Sequence, residues 1–171
     1  MRDSQSLLEQ LMAFCSETIT VDDVHGLLGT AASGRIIELI SHLSRRDAAQ
    51  AIECLHELWK TGSEPEQVAQ QLMGVYRDTL AVAVGGGQEI MEFTQRDEFP
   101  QVQKLAEAMG QYTCLAALEI LQELFRKLRF SVQIRVLIEM TVIRIATLEE
   151  LDEIQNWLNV LQSSQDRKSV V

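Results

Sequence analysis

The chain has 171 residues, a formal net charge of −10 at pH 7, 46% hydrophobic and 23% charged residues, and only two prolines and nine glycines. That length suits one domain or one and a half, with enough chain to bury a real core. The acidity disfavours a phosphate backbone as ligand and points to protein partners, and the wealth of Leu, Ala, Glu and Gln favours helix.

In chain order, Leu7, Leu8, Leu11 and Met12 share one face and predict an amphipathic helix at the start. Arg2 falls in its first turn, at the positive end of the helix dipole, which costs a few tenths to about 1 kcal/mol. Thr20 with Asp23 caps "VDDVHGLL", and Gly29 ends it. "SGRIIELISHLSRR" carries Ile36, Ile40 and Leu43 on one stripe. Asp47 with Gln50 resembles a capping box for a helix expected to bury Ala48, Ile52, Leu55 and Trp59 and to stop at Gly62. Ser63 with Glu66, and Pro65 in the first turn, opens a helix with the stripe Val68, Leu72, Tyr76 and Leu80.

The pattern breaks over 85–99 at "GGGQEIMEFTQRDEF". Pro100 begins a short helix ending near Gly110, and two long helices follow over 113–130 and 133–151, the second with Ile134, Ile138, Ile145 and Leu148 inward. A polar "SSQDRKSVV" closes the chain. No apolar–polar alternation marks a strand, so the expected fold is all-α, a bundle of eight or nine helices with short antiparallel connections.

Sites of chemistry are scarce. His25, His42 and His56 form no HExxH, and Asp22, Asp23 and His25 read more simply as a capped surface helix than as metal ligands. Cys15, Cys54 and Cys114 stand far apart, an odd set without a CxxC pair, which suits a reducing compartment. Cys114 at a helix start is open to a lowered pKa, with a packed, idle thiol as the plainer reading. "VGGGQE" lacks the preceding strand and following Lys-Ser/Thr of a phosphate loop, and reads as a helix stop and a flexible loop. "EELDEIQ" at 149–155 reads as a solvated face. "FRKLR" at 125–129 is the one basic cluster. Its Arg126, Lys127 and Arg129 suit a helix C-terminus, an acidic partner surface or DNA, in falling order. Arg135 and Glu139, four apart, are placed to pair, a contribution of about 0.3–0.5 kcal/mol. No apolar run is long enough for a membrane span, and no signal-peptide core is visible.

"MRDSQSLLEQ" resembles the Met-Arg-Asp segment of the bacterial DNA polymerase III gamma/tau family, the clamp-loader AAA+ ATPases. "ITVDDVHGLLG", "RRDAAQAIECLHELWKTGSEPEQVAQQLMGVYRDTL" and "LQELFRKLRFSVQIRVLIEMTVIRIATL" resemble later helices of the same family. The resemblance implies the end of the AAA+ lid over 1–29, a helical collar over 30–151 and a polar tail over 152–171. It implies that Arg2 is the sensor-two arginine, directed at a nucleotide phosphate, which accounts for a cation at that helix end. Phosphate loop, Walker-B acids, zinc cysteines and the Ser-Arg-Cys finger are absent, so the chain is expected to lack ATPase activity. ATP, magnesium and structural zinc are expected in the remainder of such a protein.

The implied partners are other clamp-loader subunits (gamma/tau, delta, delta-prime and psi), met through the collar. Arg126, Arg129, Arg135 and Glu139 are the candidate interface residues. Neither direct DNA binding nor membrane binding is expected, and the implied location is the bacterial cytoplasm. The chain departs from the family where "FSVQIR" replaces a turn that often holds proline and asparagine. A replication factor C small-subunit-like fragment and a stand-alone helical adaptor are the alternatives. An enzyme with a bundle active site would need a Glu-x-x-His pair that is missing.

Overall fold

The computed structural model describes residues 33–148. The lid segment 1–29 with Arg2, the metal candidates Asp22, Asp23 and His25, and the 149–155 and 163–171 stretches lie outside the described residues. Among the described residues the fold is all-helical: α1 Ser33–Ser44, α2 Ala48–Lys60, α3 Pro65–Ala83, α4 Phe99–Leu128 and α5 Ile134–Ala146. Two short 3-10 turns, Gln88–Ile90 and Arg96–Glu98, lie between α3 and α4. The expected eight or nine helices are corrected to five α-helices here. The α4 range itself holds the two helices expected on either side of Gly110. It is broken only at Gly110 itself, which leaves helical geometry with φ 68° and ψ 170°.

The first three helices stop in the same way. In each, an amide five residues on from a carbonyl closes the last turn, and the residue before that amide takes the left-handed conformation. After α1 the bonds are Asp47 N–H to His42 O (3.0 Å) and Arg46 N–H to Leu43 O (3.0 Å). After α2 they are Ser63 to Leu58 (3.1 Å) and Gly62 to Trp59 (3.2 Å), and after α3 Gly86 to Ala81 (3.0 Å) and Gly85 to Val82 (2.9 Å). Gly62 (φ 86°) and Gly85 (φ 98°) meet that demand without strain, whereas α1 meets it with Arg46 (φ 61°).

These stops also correct two expected capping boxes. Asp47 does cap α2, accepting from the Gln50 amide at 3.0 Å. Its own amide is already spent on α1, and the Gln50 side chain donates instead to Glu53. The Ser63–Glu66 box does not form: the Ser63 amide closes α2, and Glu64 becomes the N-cap of α3, with Pro65 opening the helix.

α1 is the centre of the bundle and packs against all four other helices, while α3 and α4 make the most extensive pair. Ile36, Leu39 and Ile40 of α1 are fully buried, with Leu55 of α2, Val68, Leu72 and Tyr76 of α3, Leu121 of α4 and Ile138 of α5 around them. Full burial of one such side chain stabilises by roughly 1.5–3 kcal/mol. The expected stripe of α3 is present, with Leu80 half-buried at its end. The buried face of α2 is turned from expectation: Ala51, Cys54 and Leu58 join Leu55, and Ala48, Ile52 and Trp59 are half-buried. Helix α2 serves both α1 and α5, which moves its buried stripe between them. Burial pushes the Tyr76 phenol far above its ordinary pKa, and pushes the Cys54 thiol up to about 11. Cys114, expected at a helix start, lies in the first turn after the Gly110 break and is fully buried, a packed thiol.

Candidate protein-interaction surface

Helix α4 has a connection at each end, and the two are built differently. The segment leading into α4, expected to be a flexible loop, is tied down by one residue that the sequence patterns did not single out. Asp78 of α3 is fully buried. Its carboxylate accepts from the amides of Glu92 (3.1 Å), Phe93 (2.9 Å) and Thr94 (2.8 Å) and from the Thr94 hydroxyl (2.8 Å). Arg77 Nη1 donates to the same carboxylate at 2.9 Å and also to the Ile90 carbonyl, and its Nη2 meets Glu92 at 3.1 Å. Burial drives the Asp78 pKa up, but the amides, the guanidinium and the hydroxyl outweigh it and hold the carboxyl below its usual range. Gly74, one turn earlier, lets the segment lie on α3, since a Cβ there would sit 2.6 Å from the Phe93 ring. Periodicity could not find it, because Asp78 lies two positions past Tyr76, off the Val68, Leu72, Tyr76 and Leu80 stripe.

The segment leaving α4 is open. Phe130 is 90% exposed and Val132 99% exposed, an apolar corner between α4 and α5. Two open clefts of about 600 Å³ flank Phe130. One is lined by Glu66, Gln70, Phe125, Arg126, Leu128 and Arg129, and the other by Glu123, Arg126, Lys127, Ser131 and Leu137. The basic cluster divides here. Lys127 is engaged by Glu123 at 2.8 Å, and Arg144 reaches the same carboxylate from α5 at 2.5 Å. Those two cations pull the Glu123 pKa down to about 2. Arg126 and Arg129 make no ion pair among the described residues, and both are exposed beside Phe130.

Arg135 and Glu139 do not pair with each other as expected. Arg135 lies over the Trp59 ring, 5.6 Å from its centroid, and Glu139 Oε1 lies 3.0 Å from His56 Nε2. Both partners belong to α2, so the two side chains fasten α5 to α2, and packing overrides the local i, i+4 preference. Among the described residues no three His, Cys, Asp or Glu side chains are grouped to hold a metal, and no helix is long and apolar enough to cross a membrane.

Comparisons with known proteins agree with the helical architecture. The chain is 24% identical over 176 residues to the tau subunit of DNA polymerase III from Bacillus subtilis, covering 98% of this chain and 31% of that protein. It is 28% identical over 131 residues to the Arabidopsis thaliana protein STICHEL-like 1, covering 77% of this chain and 11% of that one. The chain thus spans a third or less of each of these relatives. Among solved structures it resembles the Bacillus subtilis DNA clamp loader delta protein, with a TM-score of 0.61 at 18% identity, over 86% of this chain and 45% of that one. Residues 19–159 match the family described as DNA polymerase III subunits gamma and tau domain III, and the chain belongs to that family.

Proposed function

We propose that this chain is the oligomerising collar of a replicative clamp loader, the assembly that places a sliding clamp on DNA at the expense of ATP. Its role is non-catalytic: it holds subunits together. The observation that carries this reading is the gamma and tau domain III match over 19–159, on a bundle whose α4–α5 corner is apolar and exposed. Phe130 and Val132 supply apolar area, and Arg126 and Arg129 supply unspent charge for acidic groups on a neighbour. Arg135 and Glu139 act one step back, fixing α5 on α2 so that the corner keeps its shape.

The partners in this reading are further gamma/tau chains and the delta, delta-prime and psi subunits, in the bacterial cytoplasm. Arg2 would sense nucleotide, and ATP, magnesium and zinc would sit in an ATPase part of the parent protein. A second reading, a stand-alone adaptor, is favoured by the 131-residue match to a plant protein whose name mentions no polymerase. Mixing the purified chain with its clamp-loader subunits in size-exclusion chromatography with light scattering tests the first reading. Co-elution that Arg126→Glu with Arg129→Glu abolishes is expected. Failure to associate with any of those subunits would leave the adaptor reading.

A further inference from the structure

Past Gly110, α4 carries one exposed face as far as its C-cap, Arg129. Tyr112, Leu115, Glu119, Gln122, Arg126 and Arg129 are all exposed, and their spacing of three, four, three, four and three keeps them on one side of the helix. Their chemistry changes in order along it. The first two are apolar, Glu119 is acidic, Gln122 is neutral and the last two are basic, with Phe130 just beyond. Glu119, like Arg126 and Arg129, makes no ion pair among the described residues. Glu123, at the edge of the face, is already engaged by Lys127 and by Arg144 of α5.

The apolar end is widened by α3. Leu80, Ala81 and Val84 meet Gln111, Tyr112 and Leu115 across an open groove of about 480 Å³, with Val84 63% exposed. Its lining is aliphatic and aromatic but for Gln111 and Arg77, and Arg77 is committed to Asp78 and Glu92. The order of groups along the face is its own complement when reversed. Take a second copy laid antiparallel about a two-fold axis between Glu119 and Gln122. Tyr112 then stands opposite Arg129 of the other copy, Leu115 opposite the Arg126 stem, and Glu119 opposite Gln122, one turn from Arg126. Each of these pairings is favourable: a guanidinium on a phenol ring, an aliphatic stem on a leucine, a carboxylate beside an arginine. Phe130 of each copy falls at the end of the other's groove, level with Gln111. A copy turned end for end satisfies both halves of the face at once, which is the condition for an isologous pair.

We propose that this face of α4 is a self-pairing surface, on which two copies of the chain lie antiparallel and Phe130 of each covers the groove between α3 and α4 of the other. The net charge of −10 repels a like chain at a distance, and Glu119 with Arg126 supplies the local attraction that overcomes it. The contact is one helix wide and about 27 Å long, at the small end of specific interfaces, so the pair is reversible. The proposal names a neighbour for the Phe130 corner, and it rests on the collar reading for the part that this corner plays in a clamp loader. The pairing itself is a property of the chain.

Sedimentation of the full chain alone, across a concentration series, tests it. A monomer–dimer equilibrium is expected. Glu119→Arg and Arg126→Glu, both at exposed positions, should each weaken it at least about tenfold, because each sets like charges together across the axis. An equimolar mixture of the two variants should restore it, since every charged contact across the axis then joins opposite signs again. A chain that stays monomeric up to about 100 µM overturns the proposal. So does a dimer indifferent to both substitutions, or one that the mixture fails to restore. Mass that climbs past the dimer with concentration also overturns it, by assigning the face to head-to-tail contacts. Binding of clamp-loader subunits is measured separately. Subunit binding by a chain that is monomeric alone removes the pairing and leaves the collar reading, and a dimer that binds no subunit does the reverse.

Discussion

The two connections of α4 contrast in how they treat polar and apolar groups. Before the helix, the 15 residues between α3 and α4, from Val84 to Glu98, are drawn onto the bundle by a single buried carboxylate that spends its acceptors on backbone amides. After the helix, a short turn leaves Phe130 and Val132 in water beside two arginines that make no ion pair among the described residues. A connection that satisfies itself is part of the fold. One that exposes aromatic and aliphatic side chains beside free charge is poorly optimised for the isolated chain and suited to a neighbour. The acidic net charge belongs to the same logic, since like-charged chains meet through local patches of opposite sign.

The largest effect should come from removing the carboxylate. Asp78→Ala strands three amides and a hydroxyl in a closed site, each costing about 1–3 kcal/mol when left without a partner or water. Partial hydration as the segment lifts away limits the net loss to about 3 kcal/mol. Denaturant unfolding measures it, and a loss below about 1 kcal/mol would show that the segment is not held by Asp78. Gly74→Ala should act in the same direction by pushing Phe93 outward, with faster exchange over 90–95 as its signature.

The open connection should behave in the opposite way. Phe130→Asp and Val132→Asp should change stability by no more than about 0.5 kcal/mol, because each side chain is already in water. On the proposed collar reading, association with clamp-loader subunits should weaken tenfold or more in both variants, because a charge desolvated without a partner is costly. Light scattering on the mixed proteins reads the second effect and thermal unfolding the first. A marked stability loss with unchanged association would reverse the comparison.

Acid sharpens the contrast further. The Asp78 carboxyl is held below its ordinary value in the fold, so the sign is that of a depressed acid. Its contribution is complete above the unfolded pKa of about 3.9 and is lost as pH falls through the lower folded value. The unfolding midpoint should therefore fall more steeply below pH 4 in the natural chain than in Asp78→Asn. Parallel acid profiles for the two would contradict the geometry at Asp78.

Much of this was legible in the sequence. Gly62, Gly85 and Pro65 announced helix ends because glycine and proline have few other uses at such positions. The stripe of α3 followed from periodicity alone. The expected capping boxes failed for a local reason: when a connection is only a few residues long, one amide cannot serve two helices, and Asp47 and Ser63 were committed to the helix before them. Arg46 was invisible because nothing in its residue type asks for a left-handed backbone. At the candidate surface, Arg126 and Arg129 could be found as a charge cluster, but Lys127 could not be told from them until Glu123 and Arg144 were brought together. Arg135 and Glu139 were misjudged as a pair because Trp59 and His56, on another helix, offered each a better partner. The Met-Arg-Asp resemblance reached the family from residues that the described fold does not include, and the gamma and tau match reached it from residues 19–159.

The smallest effect concerns Glu123, the one strongly shifted carboxylate at the open end. Lys127 and Arg144 hold its pKa at about 2, yet all three groups are solvent-facing, so screening keeps their contribution to stability slight. The sign is again that of a depressed acid, with the contribution lost only as pH falls towards 2. Side-chain carboxyl titration by NMR should place Glu123 well below the other glutamates at low salt. Raising the ionic strength to about 1 M shortens the screening length to about 3 Å and should move the midpoint back towards the ordinary value. Arg144→Gln should move it the same way, while the Asp78 titration stays where it was, shielded from solvent. If salt shifts both carboxylates alike, the closed connection is as wet as the open one, and the distinction between a self-satisfied and a partner-seeking end of α4 no longer holds.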